Sequence, residues 1–151
     1  MDIQLKILNS NLELPKYQTD GSAGVDLYAC IDKPLILVPN GRGIIKTGIS
    51  LFIQDINVCG IILPRSGLSI KHGIILSNTV GLIDSDYQGE VMLPIWNSGM
   101  HTYIIEPMER IAQIVFMPVI KSSFKIVSEF NNITKRGKNG FGSIGKNIKN
   151  E

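Results

Sequence analysis

Little net charge, few cysteines and no long apolar run mark this sequence, and each shortage excludes a class of protein. The formal net charge of +2 is too small to indicate nucleic acid or a membrane surface as an obligate partner. No apolar stretch approaches the ~18 residues of a transmembrane helix, and residues 1–10 lack the basic start and apolar run of a secretory signal. Cys30 and Cys59 are the only cysteines, and their apolar surroundings favour reduced, buried thiols over a disulfide or a zinc site. We therefore expect a cytoplasmic protein.

The apolar residues alternate with polar ones or form short runs, which is typical of β-strands. In residues 3–8, IQLKIL, isoleucine and leucine occupy every second position at the start. Similar segments rich in Ile and Val recur every ~10 residues, separated by Gly, Pro, Asn and Asp, and this spacing predicts an all-β sandwich, jelly roll or barrel. Only residues 66–73, SGLSIKHG, are predicted to form a short helix, with Ser66 as its N-cap.

The last twenty residues differ in composition from the rest of the chain. From Asn131 onward glycine and lysine dominate, and Phe141 is the only aromatic residue. Such a segment cannot bury enough apolar surface to order itself. The length of 151 residues is otherwise usual for one domain. We therefore predict a β-barrel domain at residues 1–130 and a mobile, glycine-rich arm at residues 131–151.

Two stretches place polar or charged residues within or directly after apolar strands, and each has a structural explanation. Asp26 lies inside an apolar strand, where a carboxylate needs polar partners or a place at the strand end. Arg65, Ser66 and Gly67 follow another apolar strand. They offer a guanidinium, a hydroxyl and backbone N–H groups, a set that suits a phosphate or simply begins a helix.

A third stretch, GLIDSDYQGE at residues 81–90, places Asp84 and Asp86 between two apolar runs. Either carboxylate could be a general base or a metal ligand, and a solvated turn is the structural alternative. Further along, in ERIAQ, Arg110 and Gln113 have opposite parity. This predicts that their side chains lie on opposite faces of a strand.

Together, SAGVDLYA, PRSGL, GLIDSDYQGE, ERIAQ and RGKNGFGS occur in this order across nearly the whole chain, and the set resembles the five motifs of the homotrimeric dUTPase family. The intervening sequence, including KHGIILSN and IWNSG, is most similar to the bacterial type. The resemblance implies a jelly roll, a trimer whose active sites are shared between subunits, and hydrolysis of dUTP to dUMP and pyrophosphate. Such an activity limits uracil incorporation into DNA and supplies dUMP for dTMP synthesis.

The resemblance also implies a role for each matching residue. Asp84 is expected to activate the water that attacks the α-phosphorus, and Tyr87 to pack against the deoxyribose and exclude a 2′-hydroxyl. Mg²⁺ is expected on the triphosphate, with Asp26 reaching it only through water, and Arg110 is expected to be structural. The other expected substrate-binding residues are Arg65, Ser66 and Gly67 for the β-phosphate, Asn78 and Met92 in the uracil-binding hairpin, Gln113 for a phosphate oxygen, Arg136 for the γ-phosphate, Phe141 on the uracil, and Gly142 and Ser143 for phosphate.

Two positions depart from the family pattern, and two alternative functions stay open. Ile144 stands where many members carry a small hydroxyl residue, which implies weaker closure of the arm, and Met108 replaces a glycine in the turn before ERIAQ. The first alternative is a dCTP deaminase-type enzyme of the same fold, which would release ammonia from dCTP. The second is a nucleotide-gated regulatory protein, which would bind a dUTP analogue without turning over dUTP.

Overall fold

Between Gln4 and Pro118 the chain forms ten strands and one short helix in a computed structural model, which describes residues 1–140. The elements are β1 (Gln4–Ile7), β2 (Val25–Tyr28), β3 (Leu35–Leu37), β4 (Arg42–Phe52), β5 (Val58–Pro64), α1 (Ser66–His72), β6 (Ile74–Leu76), β7 (Gly81–Ile83), β8 (Glu90–Asn97), β9 (Tyr103–Ile105) and β10 (Arg110–Pro118).

The strands build two four-stranded antiparallel sheets and one small pair. One sheet has the order β1-β4-β8-β6, the other has the order β2-β10-β5-β7, and β3 pairs with β9. Alternate residues of each large sheet point inward, so Ile45 and Leu93 of the first sheet join Leu27, Ile62 and Ile114 of the second in one buried cluster. This arrangement confirms the predicted all-β, jelly-roll-like fold with one short helix.

The short helix α1 was predicted correctly in extent, but its N-cap was not. Arg65 occupies the cap position with an extended backbone, and Ser66 is the first helical residue. No side chain caps this helix. The prediction of Ser66 as the cap was wrong because the strand β5 runs directly into the helix, which places the last extended residue one position earlier. The helix ends at Gly73, whose φ of 70° is the left-handed conformation that glycine adopts without strain.

The chain divides after Lys121, and the second unit begins at Ser122. Within residues 122–140 the backbone forms bends and turns without helix or strand, and every side chain is exposed. The polar turn from Thr134 to Asn139 is held by backbone hydrogen bonds and by Arg136, whose Nε donates to the Asn139 carbonyl at 3.0 Å. The predicted boundary at Asn131 stays a prediction.

Among residues 1–140, no helix has the length and apolar character required to cross a membrane.

Cys30 and Cys59 are free thiols, and Cys59 is buried while Cys30 is only partly covered. Cys30 Sγ accepts a hydrogen bond from Asn9 Nδ2 at 3.2 Å.

Candidate functional site

Five of the predicted site residues line one cleft of about 460 Å³ on the second sheet: Asp26, Arg65, Ser66, Gly67 and Gln113. Strand β10 lies between β2 and β5, so Gln113 pairs with Asp26 on one side and with Leu63 on the other. Because α1 begins directly after β5, the same edge receives the residues of PRSG. The cleft therefore gathers a carboxylate, a guanidinium, a hydroxyl and a carboxamide from three separate stretches of sequence.

Asp26 is the charged centre of this cleft. Its Oδ1 lies 3.1 Å from Arg65 Nε and its Oδ2 lies 3.2 Å from Arg110 Nη1. The Asp26 side chain is 13% exposed, so the two guanidinium groups compensate a carboxylate that is largely removed from water. Arg65 also donates through Nη1 to the Arg110 carbonyl at 3.0 Å. Asp26 thus fixes the direction in which Arg65 enters the cleft.

The prediction that Arg110 and Gln113 face opposite sides was wrong. Strand β10 has a bulge between Arg110 and Ala112, where its pairing with β2 skips one residue. Arg110 pairs with Tyr28 and Gln113 pairs with Asp26, and residues two apart on β2 share a face. The extra residue reverses the parity, so Arg110 and Gln113 both lie beside Asp26. Ile111 and Ala112 are consequently both buried.

Gly24 leaves the space that Gln113 occupies. A Cβ at Gly24 would lie 2.6 Å from Gln113 Oε1, well inside normal contact. The Gln113 carboxamide is held on its other side, where Nε2 donates to the Pro64 carbonyl at 3.2 Å. The glycine before VDL is therefore required by the close approach of the neighbouring strand.

Because Gln113 is predicted to hydrogen-bond a phosphate oxygen, replacing Gly24 by alanine is expected to displace its carboxamide and to lower kcat/KM by about tenfold, a loss typical of one hydrogen bond to a charged group. Steady-state kinetics provide the measurement. Gly21→Ala is the matched control, because nothing lies within 4 Å of a Cβ at that position. Equal kinetics in the two variants would contradict this role for Gly24.

The turn that carries Arg110 is supported by two residues that the sequence did not single out. Tyr103 Oη donates to Glu109 Oε1 at 2.5 Å, and Glu109 Oε2 accepts from the Glu106 backbone N–H at 3.0 Å. Burial, followed by the contact with Glu109, raises the pKa of Tyr103 above its ordinary value. Met108 in the same turn has φ of 62°, so the chain keeps a conformation that favours glycine despite the methionine.

Asp84 lies in a different part of the second sheet. It follows β7 directly, is exposed, and begins a turn in which its carbonyl accepts the Tyr87 backbone N–H at 3.2 Å. The Tyr87 side chain is 38% exposed, and its Oη donates to the Glu90 carbonyl at 2.8 Å. A carboxylate and an aromatic ring are therefore presented together to solvent at the end of a short, rigid strand.

Asn78 and Met92 flank this strand. Asn78 is exposed in the turn between β6 and β7, and its carbonyl accepts from Val80 N–H at 2.7 Å and from Thr79 Oγ1 at 2.6 Å. Thr79 has φ of 64°, which is unusual for a β-branched residue and marks a tightly constrained turn. Met92 is 48% exposed on β8. The prediction that residues 78–92 form a hairpin was wrong, because among the described residues β7 pairs with β5 in one sheet and β8 pairs with β4 and β6 in the other.

The register of the second sheet separates Asp84 from the Arg65 cleft. Ile83 pairs with Gly60, so Asp84 is level with Cys59 near the start of β5, whereas Arg65 follows the end of that strand. Six residues of extended chain span about 20 Å. Arg65 is also held toward Asp26, away from the start of β5. One copy of the chain therefore presents two half-sites that cannot meet at a single phosphorus atom.

The remaining predicted residues lie beyond residues 1–121. Arg136 belongs to the second unit, in the turn described above. Phe141, Gly142 and Ser143 lie outside the described residues, as does Ile144. Their roles stay predictions.

The cleft suits a hydrated magnesium ion that is held mainly by phosphate. Among residues 1–140, Asp26 is the only acidic side chain that lines it, and Ser22, Ser66 and Gln18 add neutral oxygen atoms. Mg²⁺ keeps several waters and commonly takes only one or two carboxylates together with substrate phosphates. Both Asp26 oxygens already accept from arginine, so their remaining lone pairs fit a metal-bound water better than the metal itself. Within residues 1–140 no group of three or more His, Cys, Asp and Glu side chains is arranged for a metal.

The chain is similar to known proteins over nearly its whole length. Residues 10–145 match the family model described as dUTPase. The chain is 53% identical over 148 residues to the deoxyuridine 5′-triphosphate nucleotidohydrolase of Tolumonas auensis, covering 95% of this chain and 97% of that protein. It is 52% identical over 150 residues to the protein of the same name from Acinetobacter baylyi, covering 97% and 99%.

Solved structures agree in fold. The dUTPase of Staphylococcus bacteriophage 80alpha with dUPNHPP has a TM-score of 0.86 and 28% identity, and the match covers 96% of this chain and 99% of that one. A mutant dUTPase from phage phi11 of S. aureus has a TM-score of 0.78 and 23% identity, covering 87% and 100%, and its structure concerns the coordination of a structural Mg(II) ion. This second likeness supports the fold alone.

Proposed function

The chain belongs to the dUTPase family and is a dUTP diphosphatase, and we propose that it completes each active site with residues from neighbouring copies of itself. The observation that carries the proposal is the register of β5 and β7, which places Asp84 level with Cys59 while Arg65 follows the end of β5, about 20 Å of extended chain away. Asp84 is proposed to act at the α-phosphorus and Arg65 at the adjacent β-phosphate, so both half-sites must face one substrate. A cyclic homotrimer places the Asp84 half-site of one copy against the Arg65 cleft of the next.

In this assembly Asp84 acts as the general base. Its carboxylate orients a water and accepts the proton while the water oxygen bonds to the α-phosphorus. The bond from the α-phosphorus to the bridging oxygen breaks, and pyrophosphate leaves with the bonding electrons, which yields dUMP. The exposed position of Asp84 at a rigid strand end supports this role, because the carboxylate reaches solvent while its backbone is fixed.

Tyr87, Asn78 and Met92 would select the nucleoside. The Tyr87 ring would pack on the deoxyribose and leave no room for a 2′-hydroxyl. The Asn78 side chain and backbone groups of residues 78–92 would pair with uracil. Cytosine presents the opposite donor and acceptor pattern, which leaves buried polar groups unpaired and is strongly rejected. A 5-methyl group would meet the same segment, which excludes thymine.

The cleft around Asp26 would hold the phosphates. Arg65, Ser66 and Gly67 would contact the β-phosphate, and the second N–H of the Gln113 carboxamide would donate to a phosphate oxygen. Mg²⁺ would neutralise phosphate charge when bound, with Asp26 accepting a hydrogen bond from one of its waters. Preplaced donors of this kind commonly supply the largest catalytic contribution.

The arm would close the site. Arg136 would reach the γ-phosphate, Phe141 would stack on the uracil, and Gly142 and Ser143 would donate to phosphate.

We also propose a cytoplasmic location, where a dUTP diphosphatase limits uracil incorporation and supplies dUMP. The free thiols of Cys30 and Cys59 support a reducing compartment.

A mixed-subunit experiment tests the sharing of sites. Asp84→Asn and Arg65→Ala chains, each nearly inactive alone, are co-expressed with different tags, and pyrophosphate release from dUTP is measured. In each trimer that contains both variants, one of the three sites receives both intact half-sites. Because a quarter of randomly assembled trimers contain only one variant and are nearly inactive, the mixture should recover about a quarter of the wild-type rate. Each variant expressed with both tags is the control. A mixture no more active than these controls would rule out shared sites.

A further inference from the structure

Strand β4 and Gln54, two residues after its end, support the turn from Asp84 to Glu90 through four hydrogen bonds. Gln54 N–H donates to the Ser85 carbonyl at 3.3 Å, near the start of the turn. Gly48 N–H donates to Glu90 Oε1 at 3.1 Å, at its end. Between them, the Ser50 hydroxyl reaches the Gln88 carbonyl at 2.5 Å and the Gly89 carbonyl at 3.0 Å. Ser50 is therefore the central contact beneath the segment that follows Tyr87.

Ser50 is buried, with 7% of its surface exposed, and it sits where β4 pairs with Glu90 just after a bulge. A hydroxyl carries one proton, which is shared between the two carbonyls or given to the nearer one. Without it, the Gln88 and Gly89 carbonyls, which belong to exposed residues, would lose this donor and would bond water instead. The turn would then shift toward solvent to hydrate these carbonyls.

Movement of this turn would move the Tyr87 ring. Tyr87 packs closely on Gly89, because a Cβ at Gly89 would lie 2.5 Å from Tyr87 Oη. Its hydroxyl also donates to the Glu90 carbonyl at 2.8 Å. The ring thus contacts Gly89, whose carbonyl Ser50 binds, and Glu90, the next residue, so its position depends on theirs.

Open space lies next to the middle of the turn. A cavity of about 290 Å³ lies beside Ser50 and Gln88, and its walls also include Gln4, Lys6 and Phe52. Because this space separates β1 from the turn, side-chain packing does not hold Gln88 from that direction. The hydrogen bonds from the Ser50 hydroxyl consequently fix the distance between β4 and the middle of the turn.

We propose that Ser50 is a positioning residue for Tyr87 and thereby determines how strongly the enzyme discriminates dUTP from UTP. The inference rests on the proposed packing of Tyr87 against the deoxyribose. A ring displaced by a fraction of an ångström would admit a 2′-hydroxyl, since discrimination by exclusion depends on close contact. Ser50 itself touches no substrate.

The test compares Ser50→Ala with a matched control, Thr47→Val. Thr47 lies on the same strand, is also buried, and donates its hydroxyl at 2.6 Å to the carbonyl of Val91, a strand residue that follows the turn. The ratio of kcat/KM for dUTP to kcat/KM for UTP is expected to fall at least about tenfold in Ser50→Ala and to stay unchanged in Thr47→Val. Ser50→Thr, which keeps the hydroxyl, should retain the wild-type ratio.

Two results would overturn the proposal: an unchanged ratio in Ser50→Ala, or the same loss in Thr47→Val. Thermal unfolding of each variant identifies a general loss of stability, which would lower both activities and leave the ratio alone. Tyr87→Ala separates this inference from the proposed function. If Tyr87→Ala relaxes the rejection of UTP and Ser50→Ala does not, only the role of Ser50 fails. If Tyr87→Ala leaves the rejection intact, the assigned role of Tyr87 fails first.

Discussion

Asp84→Asn is expected to lower kcat for dUTP by about 10³-fold, the range typical of a lost general base. Asparagine keeps the shape of the side chain and its place after β7, but it cannot accept the proton of the attacking water. Binding should persist, because the Asp84 side chain is exposed and does not line the phosphate cleft. Pyrophosphate release measures turnover, and calorimetry with a non-hydrolysable dUTP analogue measures binding.

The neighbouring carboxylate provides the control for this substitution. Asp86 lies in the same turn, is also exposed, and has the same charge. Asp86→Asn should retain kcat within a few-fold, since a carboxylate outside hydrogen-bond reach of the water contributes little. Near-normal turnover in Asp84→Asn, or an equal loss in both variants, would remove Asp84 as the base.

Deleting residues 135–151 is expected to lower kcat/KM for dUTP by about 10²–10³-fold and to leave the β-barrel folded. The loss follows from removing Arg136 and the residues proposed to cover the nucleotide, which exclude water and supply charge. The fold should survive because the buried apolar core extends only from Leu12 to Ile114. Kinetics together with thermal unfolding and size-exclusion chromatography provide the measurements.

A shorter deletion separates the arm motif from the lysine-rich end. Removing residues 146–151 takes away two lysines and keeps RGKNGFGS. This variant should keep nearly full activity if the motif closes the site. Full activity in the longer deletion would contradict the closing role of the arm.

The strand pattern predicted the fold well because alternation reports directly on burial. Ile45, Leu93 and Ile95 are all buried at alternating or paired positions of the first sheet, as expected for strands with one face on a core. The same alternation failed at Arg110 and Gln113, since a bulge inserts one residue and sequence parity does not reveal it. Ser66 was misplaced by one position for a similar local reason, because chain geometry decides which residue caps the helix.

The sequence predicted the types of residue in the site, but not that these residues lie in two separate half-sites of one chain. The motifs identify Asp26, Arg65 and Gln113 as chemically apt, and the sheet register brings these three together in one cleft. The sequence could not show that Asp84 lies at the other end of β5, because separation in space depends on strand pairing. Ser50 carried no sequence signal either, since a buried serine in an apolar strand resembles any other small residue until its partners are located.

A crystal structure with a non-hydrolysable dUTP analogue and Mg²⁺ tests the central claim most directly. It should show an ordered water between the Asp84 carboxylate and the α-phosphorus, opposite the bridging oxygen, while Arg65 from another copy of the chain contacts the β-phosphate. A carboxylate turned away from the α-phosphorus, or Asp84 and Arg65 of the same copy meeting on one nucleotide, would contradict it.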